Sequence, residues 1–218
     1  MVDWSAIETV LLDMDGTLLD LHFDNFFWMH YVPTVYSEVN GIQKEIAFAD
    51  LHARFESHRG KMQWYCLDFW SEQLNLNIAE LKQDIAHKIQ IKPWAEDFLK
   101  ALKLSNKKVI LLTNAHRDSL NLKMEKTRIA QYFDVLISTH DYGYPKEEQA
   151  LWRALQQDYP FNPASTLLVD DTEAVLASAK TFGIQHLLTL KQPDSQNPPR
   201  MNLSFNAIHH FNEVLPIG

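Results

Sequence analysis

A short apolar run followed by two aspartates and a glycine constrains this chain more than any other feature of its sequence. Val10 to Leu12 form the run, and Asp13, Asp15 and Gly16 follow it directly. An apolar run of this length, with no helical periodicity around it, favours a buried β-strand. Because side chains two apart on an extended chain point to the same side, Asp13 and Asp15 are expected to share one face at the strand's carboxyl end. Gly16 then permits a sharp turn.

The second half of the chain alternates between apolar runs typical of strands and segments typical of helices. Strands are predicted over residues 108–113, 134–138, 166–170 and 186–190. Helices are predicted over residues 93–104, 119–130, 146–157 and 173–182. This alternation predicts an α/β fold, with parallel strands and crossover helices on both faces of the sheet. The residues after 192 are predicted to be loop, with a short final helix near 211–215.

A long stretch without a convincing strand separates the first predicted strand from this alternating part. Asn77 and Glu80 have the spacing of a capping box, and an apolar stripe at helical spacing follows them. We expect four or five short helices that form a small bundle over the carboxyl edge of the sheet. The predicted domains are a core of residues 1–21 and 92–218 and a helical cap of residues 22–91.

Composition limits the classes of partner. The formal net charge of −8 argues against polynucleotide binding, which depends on many Lys and Arg residues, although a small phosphorylated substrate needs only a local site. Cys66 is the single cysteine of the 218 residues, so an intrachain disulfide is impossible and a reducing compartment is expected. The sequence has neither a leader-like start nor a membrane-spanning apolar run. We therefore expect a cytoplasmic protein with no membrane partner.

Polar residues recur after three later apolar runs or loops. Thr113 and Asn114 end one predicted strand, Lys146 follows a Gly/Pro loop, and Asp170 and Asp171 end another strand. Each has an ordinary structural explanation, such as helix capping or a solvated lysine. Because ligands bind at the carboxyl ends of parallel strands, the whole set in this order indicates a functional site.

The set resembles the four sequence motifs of the haloacid dehalogenase-like hydrolases. The resemblance extends over the whole chain and includes a helical insertion where that family carries its type 1 cap. It implies a Rossmann-like parallel sheet with helices on both faces and an inserted α-helical cap. The segments LLDMDGTLLDLHFDNFFW, LLTNAHR, GYPKEEQ and VDDTEA also resemble the purine 5′-nucleotidase branch that acts on GMP and IMP.

The resemblance implies a Mg²⁺-dependent phosphomonoesterase that acts through an aspartyl-phosphate. Asp13 would be the nucleophile, and Asp15 would be first general acid and then general base. The implied metal ligands are Asp13, Asp15 (through its carbonyl), Asp170 (directly or through water) and Asp171. The implied phosphate-binding residues are Met14, Thr113, Asn114 and Lys146.

Charge arithmetic adds a constraint on this implied site. Its four carboxylates carry four negative charges, while Mg²⁺ and Lys146 supply three positive ones. The site approaches neutrality only if one carboxylate is protonated, and Asp15 is expected to carry that proton because its side chain does not bind the metal.

Substrate specificity is expected to lie in the cap and nearby loops, where a purine could stack on an aromatic side chain. The candidates are His22, Trp28, Arg54, Trp64, Tyr65 and His116. The competing interpretation is that most of these aromatic residues pack in the core of the bundle. The ten histidines show no zinc-binding spacing, so no zinc site is expected.

Two other functions remain open at this point. One is a sugar-phosphate phosphatase or phosphomutase with the same type of cap. The other is a phospho-accepting signalling domain, since receiver domains also use Asp, Thr and Lys around a metal. Asp15 and the helical insertion disfavour the second, because a receiver domain must retain its phosphate.

Overall fold

A computed structural model of the chain describes residues 2–217, and a parallel β-sheet forms its centre. The strands are β1 (Thr9–Leu12), β2 (Lys108–Thr113), β3 (Val135–Ser138), β4 (Thr166–Val169), β5 (His186–Leu190) and β6 (Ala207–Ile208). Their order is β3-β2-β1-β4-β5-β6, and all neighbouring strands are parallel. β1 therefore lies between β2 and β4, in the interior of the sheet.

After β1, a segment of residues 22–88 is almost entirely helical. Its α-helices are α1 (His22–Phe26), α2 (Val32–Asn40), α3 (Lys44–His58), α4 (Met62–Tyr65), α5 (Leu67–Leu74) and α6 (Ile78–Asp84). A π-helical stretch, Phe27–Tyr31, joins α1 to α2, and it ends just before Pro33, which has no N–H to continue a regular helical ladder. We call this segment the cap. It has its own apolar cluster, built around the buried rings of Phe23, Phe55 and Trp70.

Four helices follow in the α/β part and cover both faces of the sheet. They are α7 (Ala95–Leu104), α8 (Arg117–Thr127), α9 (Gln149–Asp158) and α10 (Glu173–Phe182). Successive β1 side chains point to opposite faces, so Val10 and Leu12 pack with residues of α7 and α8. Leu11 packs with residues of α9 and α10. The predicted α/β fold with helices on both faces is confirmed.

The register of the strands determines where the functional candidates lie. Leu12 of β1 pairs with Leu111 of β2 and with Val169 of β4. The Asp13 N–H donates to the Val169 carbonyl at 3.0 Å, and the chain then leaves the sheet. The residues after β1, β2 and β4 therefore emerge at one edge, as parallel strands require.

Two details differ from the sequence-based expectations. The region after residue 192 is not all loop, because β6 adds a sixth parallel strand beside β5. A two-residue strand is too short to show alternation in the sequence. The cap has six α-helices rather than the four or five expected. α1 and α4 have only 5 and 4 residues, which is too short to show helical periodicity in the sequence. The division of the chain into a cap of residues 22–91 and a core stays a prediction. No helix within residues 2–217 has the length and apolar character needed to span a bilayer.

Candidate active site

Lys146 joins two carboxylates at the carboxyl edge of β1 and β4. Its Nζ donates to Asp13 Oδ1 and to Asp170 Oδ2, each at 2.6 Å, and to the Leu112 carbonyl at 3.2 Å. Thr17 Oγ1 donates to the other oxygen of Asp13, Oδ2, at 2.9 Å. Asp13 is only 5% exposed and Lys146 only 2%. The ion pairs are therefore buried, and each carboxylate has a specific partner.

Asp171 completes an acidic trio with Asp13 and Asp170. One carboxylate oxygen from each of the three residues lies within 4.8 Å of the other two. The Asp171 N–H donates to Thr17 Oγ1 at 3.1 Å, so this threonine ties the β1 turn to the β4 turn. Gly16 has a φ of 84°, and a Cβ there would lie 2.7 Å from Asp171 Cγ. Glycine is required at this position both for its backbone conformation and for its missing side chain.

Asp15 belongs to a second chain of charges, built on two buried lysines, that the sequence did not reveal. Lys123 Nζ, on α8, donates to Asp15 Oδ1 and to Asp24 Oδ2, each at 2.6 Å. Lys82 Nζ, on α6, donates to Asp24 Oδ1 at 2.6 Å and lies 4.8 Å from the ring centroid of Phe27. Because Asp24 and Lys82 belong to the cap, this chain connects the cap directly to Asp15.

A third set of polar contacts positions the loop that carries Lys146. The Lys146 N–H donates to Asn114 Oδ1 at 2.9 Å, and Thr139 Oγ1 donates to the same oxygen at 3.1 Å. Asn114 Nδ2 donates to Glu147 at 3.0 Å, and the Tyr65 hydroxyl donates to the other oxygen of Glu147 at 2.9 Å. The Asn114 side chain therefore helps to hold this loop, and its role in phosphate binding stays a prediction. Tyr65 brings the cap into contact with the loop.

Burial controls the protonation of the acidic trio. It raises the pKa of Asp13 to about 6, with Asp170 acting in the same direction and Lys146 opposing. Burial and the charges of Asp13 and Asp170 raise the pKa of Asp171 well above its usual value. Carboxylates that repel one another in this way gain from a bound cation, which favours their charged forms.

The second chain contains two carboxylates with opposite shifts. Burial raises the pKa of Asp15 to about 6, and the charge of Asp24 adds to this effect while Lys123 opposes it. Burial also acts against the charged form of Asp24, but Lys123 and Lys82 outweigh it and lower the Asp24 pKa to about 2. Asp24 is therefore a permanent anion, whereas Asp15 can exchange a proton near neutral pH.

The charges of the Lys146 pairs, the acidic trio and the second chain together fit a divalent cation. They belong to five carboxylates and three ammonium groups: Asp13, Asp15, Asp24, Asp170, Asp171, Lys82, Lys123 and Lys146. When all are ionised they leave two negative charges, which one divalent ion balances. The oxygen-only ligands of the trio suit a hard ion such as Mg²⁺. The sequence-based count needed a protonated carboxylate because it lacked Asp24, Lys82 and Lys123.

Thr113 and Met14 lie at the same edge and are fully buried. Thr113 Oγ1 accepts the Ala115 N–H at 3.0 Å, which shapes the turn after β2. The Met14 carbonyl accepts the N–H of Leu19 at 2.8 Å, within the turn after β1. Their roles in phosphate binding stay predictions.

Three of the six specificity candidates have their contacts inside the cap. Trp28 and Trp64 both pack against Phe55, with ring centroids 5.4 and 6.3 Å from it. Arg54 pairs with Asp50, one turn earlier on α3, with an N–O distance of 2.8 Å. These contacts match the competing interpretation, in which the cap's aromatic residues form its core.

The other three candidates lie where the cap meets the α/β part. His22 Nδ1 lies 3.6 Å from Asp194 Oδ1. Tyr65 contacts Glu147, as described above. The His116 and His140 rings meet edge to face, with centroids 5.0 Å apart. The six candidates do not form one group, and their roles in specificity stay predictions.

Comparison with known proteins identifies the family. Residues 7–183 match the haloacid dehalogenase-like hydrolase family. The chain belongs to that family. It is 39% identical over 215 residues to the GMP/IMP nucleotidase YrfG of Escherichia coli K12, covering 99% of this chain and 97% of that protein. It is 27% identical to the pyrimidine 5′-nucleotidase YjjG of the same strain, over 56% of this chain and 50% of that one.

A solved structure supports the fold assignment. The phosphatase of this family from Thermococcus onnurineus aligns with a TM-score of 0.80 and 23% identity, covering 95% of this chain and 96% of that one. The predicted family, fold class and phosphatase activity are confirmed.

Gly16→Ala is expected to displace the Asp171 carboxylate and weaken divalent-cation binding. Gly41→Ala is the matched control, because Gly41 also has a positive φ of 63° but a Cβ there meets nothing within 4 Å. Both substitutions should lower the free energy of unfolding by about 1–2 kcal/mol, because alanine is strained in the left-handed backbone conformation. Only Gly16→Ala should also reduce the rise in melting temperature that Mg²⁺ produces. Equal responses to Mg²⁺ in the two variants would contradict the prediction.

Lys123→Met is expected to lower the free energy of unfolding by about 3–5 kcal/mol, because it leaves Asp15 and Asp24 facing each other without their shared cation. Lys126→Met, at an exposed position of the same helix, should change it by less than about 0.5 kcal/mol. Urea unfolding of both variants provides the measurement. Similar values for the two lysines would show that the second chain of charges contributes little.

Proposed function

We propose that this chain is a Mg²⁺-dependent 5′-nucleotidase that hydrolyses purine nucleoside monophosphates through a phosphorylated Asp13. The observation that carries the proposal is the pairing of Asp13 and Asp170 with one buried Lys146, beside Asp171. The purine preference rests on the full-length relative named a GMP/IMP nucleotidase. The lone Cys66 is compatible with a reducing compartment, and we propose the cytoplasm.

The first step transfers the phosphoryl group to the enzyme. A carboxylate oxygen of Asp13 attacks phosphorus, and the bond between phosphorus and the 5′ oxygen of the nucleotide breaks as the new bond forms. Asp15 donates its proton to the departing oxygen, so the nucleoside leaves as a neutral alcohol. The phosphate of the substrate adds negative charge to the five carboxylates and three ammonium groups, whose net charge one divalent ion already balances. This charge favours a proton on Asp15, whose pKa of about 6 is already raised.

The second step regenerates the enzyme. Asp15, now a carboxylate, takes a proton from water, and the water oxygen attacks the phosphorus bound to Asp13. The bond between Asp13 and phosphorus breaks, inorganic phosphate leaves, and Asp15 holds the proton for the next substrate. Lys123 keeps the Asp15 carboxylate in one position in both steps.

Fixed charge must provide most of the rate enhancement. General acid catalysis contributes about 10²–10⁴, whereas enzymes that hydrolyse phosphomonoesters reach up to ~10²¹ over the uncatalysed reaction. Asp13, Asp170 and Asp171 would hold the Mg²⁺, which supplies positive charge next to the phosphoryl oxygens. Lys146 supplies a second positive charge that is already fixed by Asp13 and Asp170, so it needs no rearrangement during the reaction.

Asp15 also argues against one of the two alternative functions that the sequence left open, the phospho-accepting signalling domain. A phospho-accepting signalling domain has no need for a second carboxylate that activates water, and here Lys123 holds that carboxylate in place. Sugar phosphates are compatible with the catalytic residues, so the discrimination between nucleotides and sugar phosphates must come from the cap.

A panel of phosphomonoesters tests the substrate class. We expect the highest kcat/KM for GMP and IMP, lower values for UMP and glucose 6-phosphate, and no phosphate release after removal of Mg²⁺ with a chelator. Phosphate release from UMP but not from GMP or IMP would contradict the purine preference. No release from any ester with Mg²⁺ present would contradict the phosphatase mechanism.

Trapping of labelled phosphate tests the roles of the two aspartates. Asp13→Asn should abolish turnover and incorporate no label. Asp15→Asn should lower kcat by about 10²–10⁴ and accumulate label from p-nitrophenyl phosphate, whose leaving group needs little acid assistance. Asp97→Asn, an exposed control on α7, should behave as wild type. Label on the Asp13→Asn variant would overturn the assignment of the nucleophile.

A further inference from the structure

Cys66, His116 and His140 face one another at the junction of the cap with the α/β part. One metal-ligating atom from each residue lies within 4.8 Å of the others. Cys66 lies between α4 and α5 in the cap, whereas His116 and His140 lie just after β2 and β3. None of the three has a part in the phosphoryl transfer proposed above.

His140 gives this group an observation that points to a ligand. Its Nε2 atom is buried and has no hydrogen-bond partner among residues 2–217. A buried polar atom without a partner costs about 1–3 kcal/mol, so such atoms are rare in folded proteins. A metal ion bound by the Nε2 lone pair would remove this cost.

Two exposed carboxylates flank His116. Asp68 Oδ2, from α5 of the cap, lies 3.5 Å from His116 Nε2. Asp118 Oδ2 lies 3.6 Å from the other ring nitrogen, Nδ1. A ligating histidine commonly has a carboxylate at its second nitrogen, which fixes the orientation of the ring. Asp68 therefore suits the supporting position at Nε2, because Nδ1 accepts the Asp118 N–H at 3.4 Å.

We propose that Cys66, His116 and His140 bind a divalent transition-metal ion, with Zn²⁺ preferred over Mg²⁺. One thiolate and two neutral imidazoles give the sulfur and nitrogen ligands that Zn²⁺ favours, and three protein ligands leave the fourth tetrahedral position to water. The acidic trio offers only oxygen, so the two sites differ in the metals they select.

An ion at this site would link the cap to the α/β part, because Cys66 comes from the cap and the two histidines come from the α/β part. Cys66 directly follows Tyr65, whose hydroxyl contacts Glu147 beside Lys146. A bound ion would therefore restrain the cap next to the acidic trio. Zn²⁺ should then slow turnover at saturating Mg²⁺. This effect on turnover rests on the proposed phosphatase function, but the binding of the ion does not depend on it.

Co²⁺ spectroscopy tests the site directly. With reduced, chelator-treated protein and saturating Mg²⁺, Co²⁺ should bind at one equivalent and produce the near-ultraviolet absorption of a cobalt–thiolate bond. Cys66→Ser should lose this absorption, and His140→Asn should weaken binding by more than about 10-fold, since even supporting residues contribute 10–100-fold. His87→Asn, an exposed histidine of the cap, should bind as wild type.

Further variants separate the possible outcomes. Asp13→Asn should keep the cobalt–thiolate absorption even though it is inactive, so a failed assay of turnover does not affect this test. Circular dichroism checks that each variant is folded, and Cys66→Ala provides a second removal of the thiol. Folded wild type without the absorption would overturn the proposal, as would a Cys66→Ser variant that retains it.

Discussion

Mutual repulsion among buried carboxylates is the constraint on which the rest of this structure depends. Parallel strands bring Asp13, Asp170 and Asp171 together at one edge, where burial opposes their charged forms. Such a cluster is compatible with folding only if cations lie within contact distance. Lys146 compensates two of the carboxylates, and Thr17 fixes the geometry of both turns. The negative charge that remains favours a divalent ion, so the same imbalance that opposes folding creates the binding site.

The cap is part of this electrostatic arrangement rather than a separate cover. Asp24 is held by Lys82 within the cap and by Lys123 from α8, and Lys123 also holds Asp15. Asp24 raises the Asp15 pKa while Lys123 lowers it, so the proton affinity of Asp15 depends on where the cap lies. Movement of α1 away from α8 would remove a negative charge from the neighbourhood of Lys123, and Asp15 would become a stronger acid.

The sequence predicted the parts of the site that follow strands, and it missed the parts that come from helices. Asp13, Thr113 and Asp170 follow apolar runs that are visible in the sequence, and parallel strands must end at a common edge. Lys123 lies on a predicted helix, where a lysine is normally solvated, and nothing nearby in the sequence indicates its two carboxylate partners. Asp24 and Lys82 are missed for the same reason, because only tertiary packing brings them together. The limits of β2, α10 and β5 agree with the sequence, whereas β6 is too short to leave a pattern.

The histidines also show that sequence patterns do not reveal residues brought together only by tertiary packing. Zinc-binding spacings describe ligands that share one local element, so their absence excludes only sites of that kind. Cys66, His116 and His140 come from three separate turns, and the distance between their ligand atoms depends on how the cap docks on the sheet. A site assembled in this way exists only while the cap is docked. Ion binding and cap position are therefore linked by mass action, because a ligand that binds one arrangement stabilises that arrangement. A metal ion at this boundary would act on the population of the docked state, whereas an ion at the acidic trio acts on charge alone.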